Sequence, residues 1–355
     1  MTALSLSGAR TLVIGGAGFV GSNLVQRLLA EGAEVVTIVD NFLSADLSNV
    51  PGDGRVQLIR GSIADDAVLA LLPGDVDYVW HLACYHGNQS SIADPLADHA
   101  NNTLTSLKLF NRLKDMKPVR KVVYSAAGCA VAEKTYGAAA ATPEDAPVSL
   151  YQDSPYSISK LVGEMYGNYF FTRHQMPFVK ARFQNVYGPG EILGAGDWRG
   201  TPHTVWRNVT PTFVFKALHG EALPLDNAGE TSRDFIYVDD IVRGLIACAL
   251  MGEPGEAYNL ASGREVTIRE LADLINRESG NTAPHELKPR RDWDSSGNRF
   301  GDPAKSRGKL AFETEVAIDE GIARTVVWTR ANLERIKTCM GRHRARLNIA
   351  SYLVD

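Results

Sequence analysis

Cysteine is scarce, and the little there is forms no pattern. The four residues Cys84, Cys129, Cys248 and Cys339 include no C-x-x-C pair, so neither a metal site nor a disulfide framework is indicated. Scattered, reduced thiols fit a cytoplasmic protein. Long apolar runs are missing as well. Nothing approaches the roughly eighteen residues of a membrane span, and the first residues lack the basic start and apolar core of a signal peptide. There is no surplus of charge of one sign. A net charge of −4 with 22% charged residues argues against a nucleic-acid polyanion as principal partner. Internal repeats and low-complexity segments are absent too. What remains is an ordinary globular composition, 45% hydrophobic over 355 residues, enough for a large core and for two lobes rather than one.

The most informative stretch is Thr11 to Asp40, TLVIGGAGFVGSNLVQRLLAEGAEVVTIVD. Thr11 to Ile14 reads as a buried parallel strand. Gly15, Gly18 and Gly21 follow at three-residue spacing. Leu24, Val25, Leu28 and Leu29 then recur at helical period, and Gly32 ends the helix. Val35 to Val39 is a second strand, closed by Asp40. Each part suits a dinucleotide. Glycines let the backbone approach a pyrophosphate, whose charge is met by amides at the helix N-terminus. A carboxylate ending the second strand accepts hydrogen bonds from ribose hydroxyls and repels a 2′-phosphate, which favours NAD over NADP.

Further strands are expected at Val56 to Arg60, Val76 to His81, Lys121 to Ser125 and Pro177 to Arg182. Ser62 and Ile63, just past the third strand, would lie beside an adenine. Small residues at Leu82-Ala83-Cys84 would let ribose and phosphates pass. His86 and the polar run Gly87 to Ser91 could face a polar ligand. Helices are expected from Asn101 to Lys114 and from Tyr156 to His174, with Ala138 to Leu150 as a loop over the site. After Asn185 the composition turns glycine-rich and irregular, which marks a lobe boundary. Beyond it the pattern predicts a helix over Thr210 to Leu218 and one strand over Arg233 to Val238. It then predicts a helix over Asp239 to Leu250, a strand over Tyr258 to Leu260 and a helix over Thr267 to Ser279 with Thr267 as N-cap. The stretch carrying Arg290, Arg291, Asp294 and Arg299 reads as charged loop. Asp319 to Met340 reads as one final helix, and the basic Arg342 to Arg346 as its solvated end.

Tyr156 and Lys160 stand four apart on one helix and so share a face. A free tyrosine, with pKa near ~10, is a poor base at neutral pH. An ammonium one turn away would favour the phenolate, and a cofactor's positive nicotinamide ring would add to this. Tyr156 is then a candidate to take a hydroxyl proton while hydride leaves the same carbon.

With these residues in place, the sequence resembles the extended short-chain dehydrogenase/reductases, and within them the NAD-dependent nucleotide-sugar epimerases and dehydratases. The resemblance rests on Gly15-Gly16-Ala17-Gly18-Phe19-Val20-Gly21, Asp40-Asn41, His81-Leu82-Ala83, Tyr156-x-x-x-Lys160, Arg182-Phe183-Gln184-Asn185-Val186-Tyr187-Gly188-Pro189 and Arg233-Asp234-Phe235-Ile236-Tyr237-Val238-Asp239-Asp240. The run Tyr85-His86-Gly87-Asn88-Gln89-Ser90 is similar to a branch of sugar-nucleotide enzymes from bacterial O-antigen loci, which implies polysaccharide biosynthesis.

The resemblance implies an α/β fold: a Rossmann doubly wound parallel sheet over 1–185 binding NAD, and a smaller C-terminal α/β lobe over 186–345 binding a nucleotide diphosphate sugar, a UDP-sugar by preference. Residues 230–262 would return to the Rossmann sheet, and 346–355 form a tail. Cofactor contacts are implied for Gly15, Gly18, Phe19, Val20, Gly21, Asp40, Asn41, Ser44, Ser62, Ile63, Leu82, Ala83, Asn101, Tyr156, Lys160 and Phe183. Substrate contacts are implied for His86, Ser90, Asn185, Arg233, Arg291 and Asp294. Tyr156, Lys160 and Ser125 would be catalytic. A homodimer through the helices at Asn101 to Lys114 and Tyr156 to His174 is also implied.

One departure from the family bears on the reaction. A serine or threonine is usual two residues beyond the position of Ser125, and here that residue is Ala127. Dehydratases of the family carry an Asp-Glu pair next; this chain has Gly128 and Cys129, so elimination lacks its acid. C4 epimerisation of a UDP-sugar, by oxidation to the 4-keto form and hydride return, is the expectation. A dehydratase, a 5-epimerase, a dehydrogenase and a non-catalytic NAD-binding regulator are the alternatives.

Overall fold

The computed structural model describes residues 5–85, 87–116, 119–132, 135–291 and 297–353. Its central sheet has seven strands: β1 (Arg10–Ile14), β2 (Val35–Asp40), β3 (Val56–Arg60), β4 (Tyr78–His81), β5 (Lys121–Ala127), β6 (Phe178–Phe183) and β7 (Ala257–Leu260). They lie in the order β7-β6-β5-β4-β1-β2-β3, and every pairing is parallel. Helices cover both faces, which is why the strands read as apolar runs rather than alternations. Successive residues of one strand feed opposite layers. Val13 joins the core beneath α1 (Phe19–Ala30), whereas Leu12 and Ile14 join the core beneath α2 (Thr105–Leu113) and α3 (Pro155–His174). The first layer is completed by α4 (Val238–Met251), through Ile241 and Leu245. The chain runs outward from β1 to β3, then returns to place β4 on the other side of β1. That reversal opens a crevice at the carboxyl ends of β1 and β4.

A second lobe packs around Phe213, Leu271, Ile275 and Ile322, from the helices Val209–Leu218, Ile268–Ser279 and Ile318–Ala331. Thr267 caps the second of these, its hydroxyl accepting from the Glu270 amide at 3.0 Å. No helix among the described residues is long and apolar enough to cross a membrane.

Several expectations fail in instructive ways. The final helix is two, Ile318–Ala331 and Leu333–Gly341. Asn332 breaks it by bonding its own side chain back to the Trp328 carbonyl at 2.8 Å, a known competitor of helical pairing. The Arg233–Val238 strand is also two. Ser232–Arg233 pairs with Val266–Thr267, and Phe235–Tyr237 pairs with Asn185–Tyr187. Between them Asp234 turns its buried carboxylate to the Ser262 hydroxyl, at 2.6 Å, and to the Ser262 and Gly263 amides. The helix expected from Asn101 starts with a wide π-turn over His99–Leu104 before α2.

Ala138 to Leu150 does not roof the cleft. Ala141–Thr142 pairs with Phe300–Gly301, and Glu144 binds the Asn259 amide and Arg182 at the sheet edge, at 2.7 and 2.8 Å. The charged stretch before Arg290 is partly strand, Glu286–Lys288, paired with Pro224–Asp226. Nor is the basic tail simply solvated. His343 is buried with Nε2 2.9 Å from the Gly194 carbonyl, and Arg342 binds Asp46 at 2.9 Å. The other strand and helix ends move by one or two residues, as helix and strand ends do.

Candidate active site

The crevice is a cleft of about 800 Å³ running from the end of β1 into the second lobe. Its floor is the glycine loop. Gly15 has φ +84°, and a Cβ there would stand 2.6 Å from the Ala83 amide nitrogen after β4. A Cβ on Gly21 would overlap the Gly15 carbonyl oxygen. Both positions therefore admit glycine alone. Gly18 precedes the first turn of α1, whose N-terminus no side chain caps. Its amides face a lining of small residues, an anion cradle of the kind a pyrophosphate fills.

Asp40 ends β2 and is buried. Its two oxygens accept from the amides of Ala17, at 2.9 Å, and Phe42, at 2.8 Å, so the carboxylate also shapes the loop. Burial pushes its pKa up against these hydrogen bonds. Asn41, Ser44, Ser62 and Ile63 line the same end of the cleft. A dinucleotide fits this half: Gly15, Gly16, Gly18 and Gly21 keep much of the loop backbone bare, the helix end is open, and a carboxylate stands at the second strand.

Helix α3 supplies the other wall. Ser154 caps it, with Pro155 in the first turn, and this places Tyr156 at the helix start beside the sheet. The Ser91 hydroxyl accepts from the Tyr156 amide at 3.1 Å. One turn on, the Lys160 ammonium lies 5.9 Å from the Tyr156 ring centre. It donates to the Ser125 carbonyl at 2.8 Å and to the Ser125 hydroxyl at 3.3 Å. That hydroxyl in turn donates to the His81 carbonyl at 3.0 Å. Burial pushes the Tyr156 phenol well above its usual value, and the thiols of Cys84 and Cys129 add to this. Burial also lowers Lys160. In the protein alone desolvation outweighs the neighbouring ammonium and favours the neutral phenol.

The π-turn has a local purpose. It leaves Asn101 lining the cleft, its amide held by the Ala97 carbonyl at 2.9 Å. The next residue, Asn102, points inward to the Asp98 carboxylate at 2.7 Å and the Ser159 hydroxyl at 3.2 Å. Wide turns of this kind recur at functional sites.

In the second lobe, Arg233 lines the cleft with one guanidinium nitrogen bound to the carbonyls of Ser232 and Gly297. Arg291 is ion-paired with Asp226 on the same wall.

All sixteen residues expected on the cofactor side line this one cleft, as do Ser125, Asn185, Arg233 and Arg291. Ser90 does not. It is 1% exposed and sits under the wall. His86 and Asp294 lie outside the described residues. Sequence reasoning missed Thr105, Gln184, Glu191, Arg207 and Lys216, together with Tyr352 of the tail. Lys216 is clasped by Glu221, at 2.7 Å, and by the Tyr352 hydroxyl, at 3.3 Å. Gln184 lies between the expected Phe183 and Asn185, and Thr105 one turn past Asn101, so both could have been found from their neighbours; the others reach the cleft only through packing of distant segments.

Comparison with known proteins agrees with this geometry. The sequence profile of the NAD dependent epimerase/dehydratase family matches residues 11–261. The chain is 31% identical over 326 residues to a UDP-glucose 4-epimerase of Mycolicibacterium smegmatis, covering 90% of this chain and 98% of that protein. It is 31% identical over 332 residues to a dTDP-glucose 4,6-dehydratase of Streptomyces antibioticus, covering 90% and 92%. Its fold is similar to that of the Bordetella bronchiseptica enzyme WbmF, crystallised with NAD+ and UDP. There the TM-score is 0.87 and the identity 55%, over 97% of this chain and 98% of that one. Sheet order, glycine cradle, tyrosine–lysine pair and these likenesses converge: the chain belongs to the NAD-dependent epimerase/dehydratase family.

Proposed function

We propose that this protein is an epimerase of a nucleotide diphosphate sugar, a UDP-sugar by preference, inverting C4 through a transient 4-keto form. The observation that carries the reading is the Tyr156–Lys160 pair facing a cleft that runs from the glycine cradle to Arg233. NAD, held in the cradle, supplies the acceptor and later the donor of a hydride. The chain's own residues do the rest. The Gly15–Gly21 loop and α1 hold the pyrophosphate, and Asp40 holds the adenosine ribose. Asn101 and Phe183 border the nicotinamide half. Asn185, Arg233 and Arg291 grip the diphosphate end of the sugar nucleotide with amide and guanidinium donors.

Tyr156 takes the hydroxyl proton on its phenolic oxygen and, once the ketone has turned its opposite face to the hydride donor, gives that proton back to the C4 oxygen. In the protein alone burial pushes its phenol up; a positive charge at the nicotinamide position would favour the phenolate form that acts as base. Lys160 anchors the tyrosine's helix to the end of β5. Gly128 and Cys129 place no carboxylic acid beside the sugar, which disfavours elimination. The related UDP-bound enzyme and UDP-glucose epimerase support uracil as the base. Exposed Ile158, Met165 and Tyr169 form a stripe on α3 that suits a homodimer.

A second reading, epimerisation at a carbon next to the ketone, is favoured by one observation. Cys84 and Cys129 line the cleft near Tyr156, and a thiol can exchange a carbon-bound proton. The test is to incubate the purified protein with a panel of UDP- and dTDP-sugars in heavy water, following NADH absorbance and product identity. C4 inversion by hydride return gives product without carbon-bound deuterium. Deuterium on carbon replaces it with the second reading, and no conversion of any sugar overturns both.

A further inference from the structure

We infer that Gln184 is a catalytic residue whose carboxamide touches the reacting sugar oxygen, a role that rests on the epimerase reading above. Gln184 is the first residue past β6 and lines the cleft. Phe183 pairs in register with Ala127, so the glutamine emerges beside Gly128 at the end of β5. Two glycines make room for it. A Cβ on Gly128 would overlap the carboxamide nitrogen, and a Cβ on Gly301, from the segment beyond Asn298, would lie 2.7 Å from the same nitrogen. Neither glycine has the left-handed φ that would call for glycine on conformational grounds. At Gly128 the carboxamide fills the space a Cβ would need, and at Gly301 it shares that space with the Ala261 Cβ, also 2.7 Å away.

The wall at the end of β5 offers little else to a ligand. Ala126, Ala127 and Gly128 carry no side-chain hydrogen-bonding group. The Ser125 hydroxyl is occupied by Lys160 and the His81 carbonyl. Cys84 and Cys129 are weak donors. Gln184 brings two N–H donors to this bare wall. When Tyr156 removes the hydroxyl proton, negative charge builds on the sugar oxygen. A preorganised N–H lowers the energy of that charge and then holds the carbonyl oxygen of the keto form.

The test compares wild type with Gln184→Leu, which keeps bulk and loses both donors, and with Gln184→Glu. Calorimetry on the NAD-loaded protein gives the affinity for UDP and for UDP-glucose, UDP-galactose and UDP-N-acetylglucosamine. Turnover is measured alongside. In the leucine variant UDP should bind as in wild type, while the extra affinity of the best-bound UDP-sugar over UDP should fall about tenfold. Its kcat should drop by about 10²-fold, with an unchanged melting temperature. The glutamate variant should be slow at neutral pH and recover as pH falls, because the protonated acid can donate. The role is overturned if wild type binds every UDP-sugar no tighter than UDP, or if the leucine variant keeps the increment or the turnover. Affinity lost without any conversion by wild type would instead overturn the epimerase reading and leave the sugar contact standing.

Discussion

The Lys160 ammonium donates to the main-chain carbonyl of Ser125, 2.8 Å away, and reaches that residue's hydroxyl at 3.3 Å. It thereby ties α3 to the tip of β5, where both enter the cleft. The lysine thus fixes where α3, and Tyr156 with it, meets the strand.

Tyr156 carries the proton transfer in this scheme. Tyr156→Phe should lower turnover by about 10³-fold while NAD and UDP still bind, since the phenol's neighbours are unaltered. Single-turnover absorbance at the NADH band and calorimetry check the two halves. A variant with the wild-type rate and product profile would favour a non-catalytic, NAD-binding role.

Gly21 is sterically closed. A Cβ there meets the Gly15 carbonyl oxygen, which is backbone and cannot swing aside. Gly21→Ala should cost about 3 kcal/mol and abolish retention of NAD. Urea unfolding and cofactor content after gel filtration measure both; full retention would mean the cradle is looser than described.

Asp46 joins the loop after β2 to the C-terminal helix pair. Burial pushes its carboxyl up, but hydrogen bonds from Ser48, Arg342 and Cys339 outweigh burial and hold it at about 2, against an ordinary 3.8. A folded-state pKa below the unfolded one stabilises above the unfolded value and is lost as pH falls through the folded one. The melting temperature lost on Asp46→Asn should therefore be full above about pH 4 and shrink steadily toward pH 2. Thermal melts across that range decide it. A loss that does not vary with pH would assign the residue to packing instead.

The tail closes the far end of the cleft. Ile349 is 1% exposed within the cluster of Phe215, Ile336 and Met340, and Tyr352 holds Lys216. Ending the chain at Arg346 should remove about 2 kcal/mol of stability and weaken UDP binding while sparing NAD. Unchanged UDP affinity, by calorimetry, would detach the tail from the nucleotide end.

What could be read without coordinates was local. The run from Thr11 to Asp40 announces strand, glycine turn, helix and strand because each depends on spacing within a few residues, and the parallel sheet follows from buried apolar strands that do not alternate. The pairing of Tyr156 with Lys160 is equally local, one helical turn. Tertiary packing alone decided the rest. Burial, which no motif encodes, raised the Tyr156 phenol where an adjacent ammonium suggested the reverse. The kink at Asp234 depends on amides at Ser262, Gly263 and Gly301, and the break at Asn332 depends on where its amide turns. The seat of Gln184 between Gly128 and Gly301 exists only once β5, β6 and a distant segment meet. Such features are set by which surfaces come together, and spacing along a chain carries no record of that.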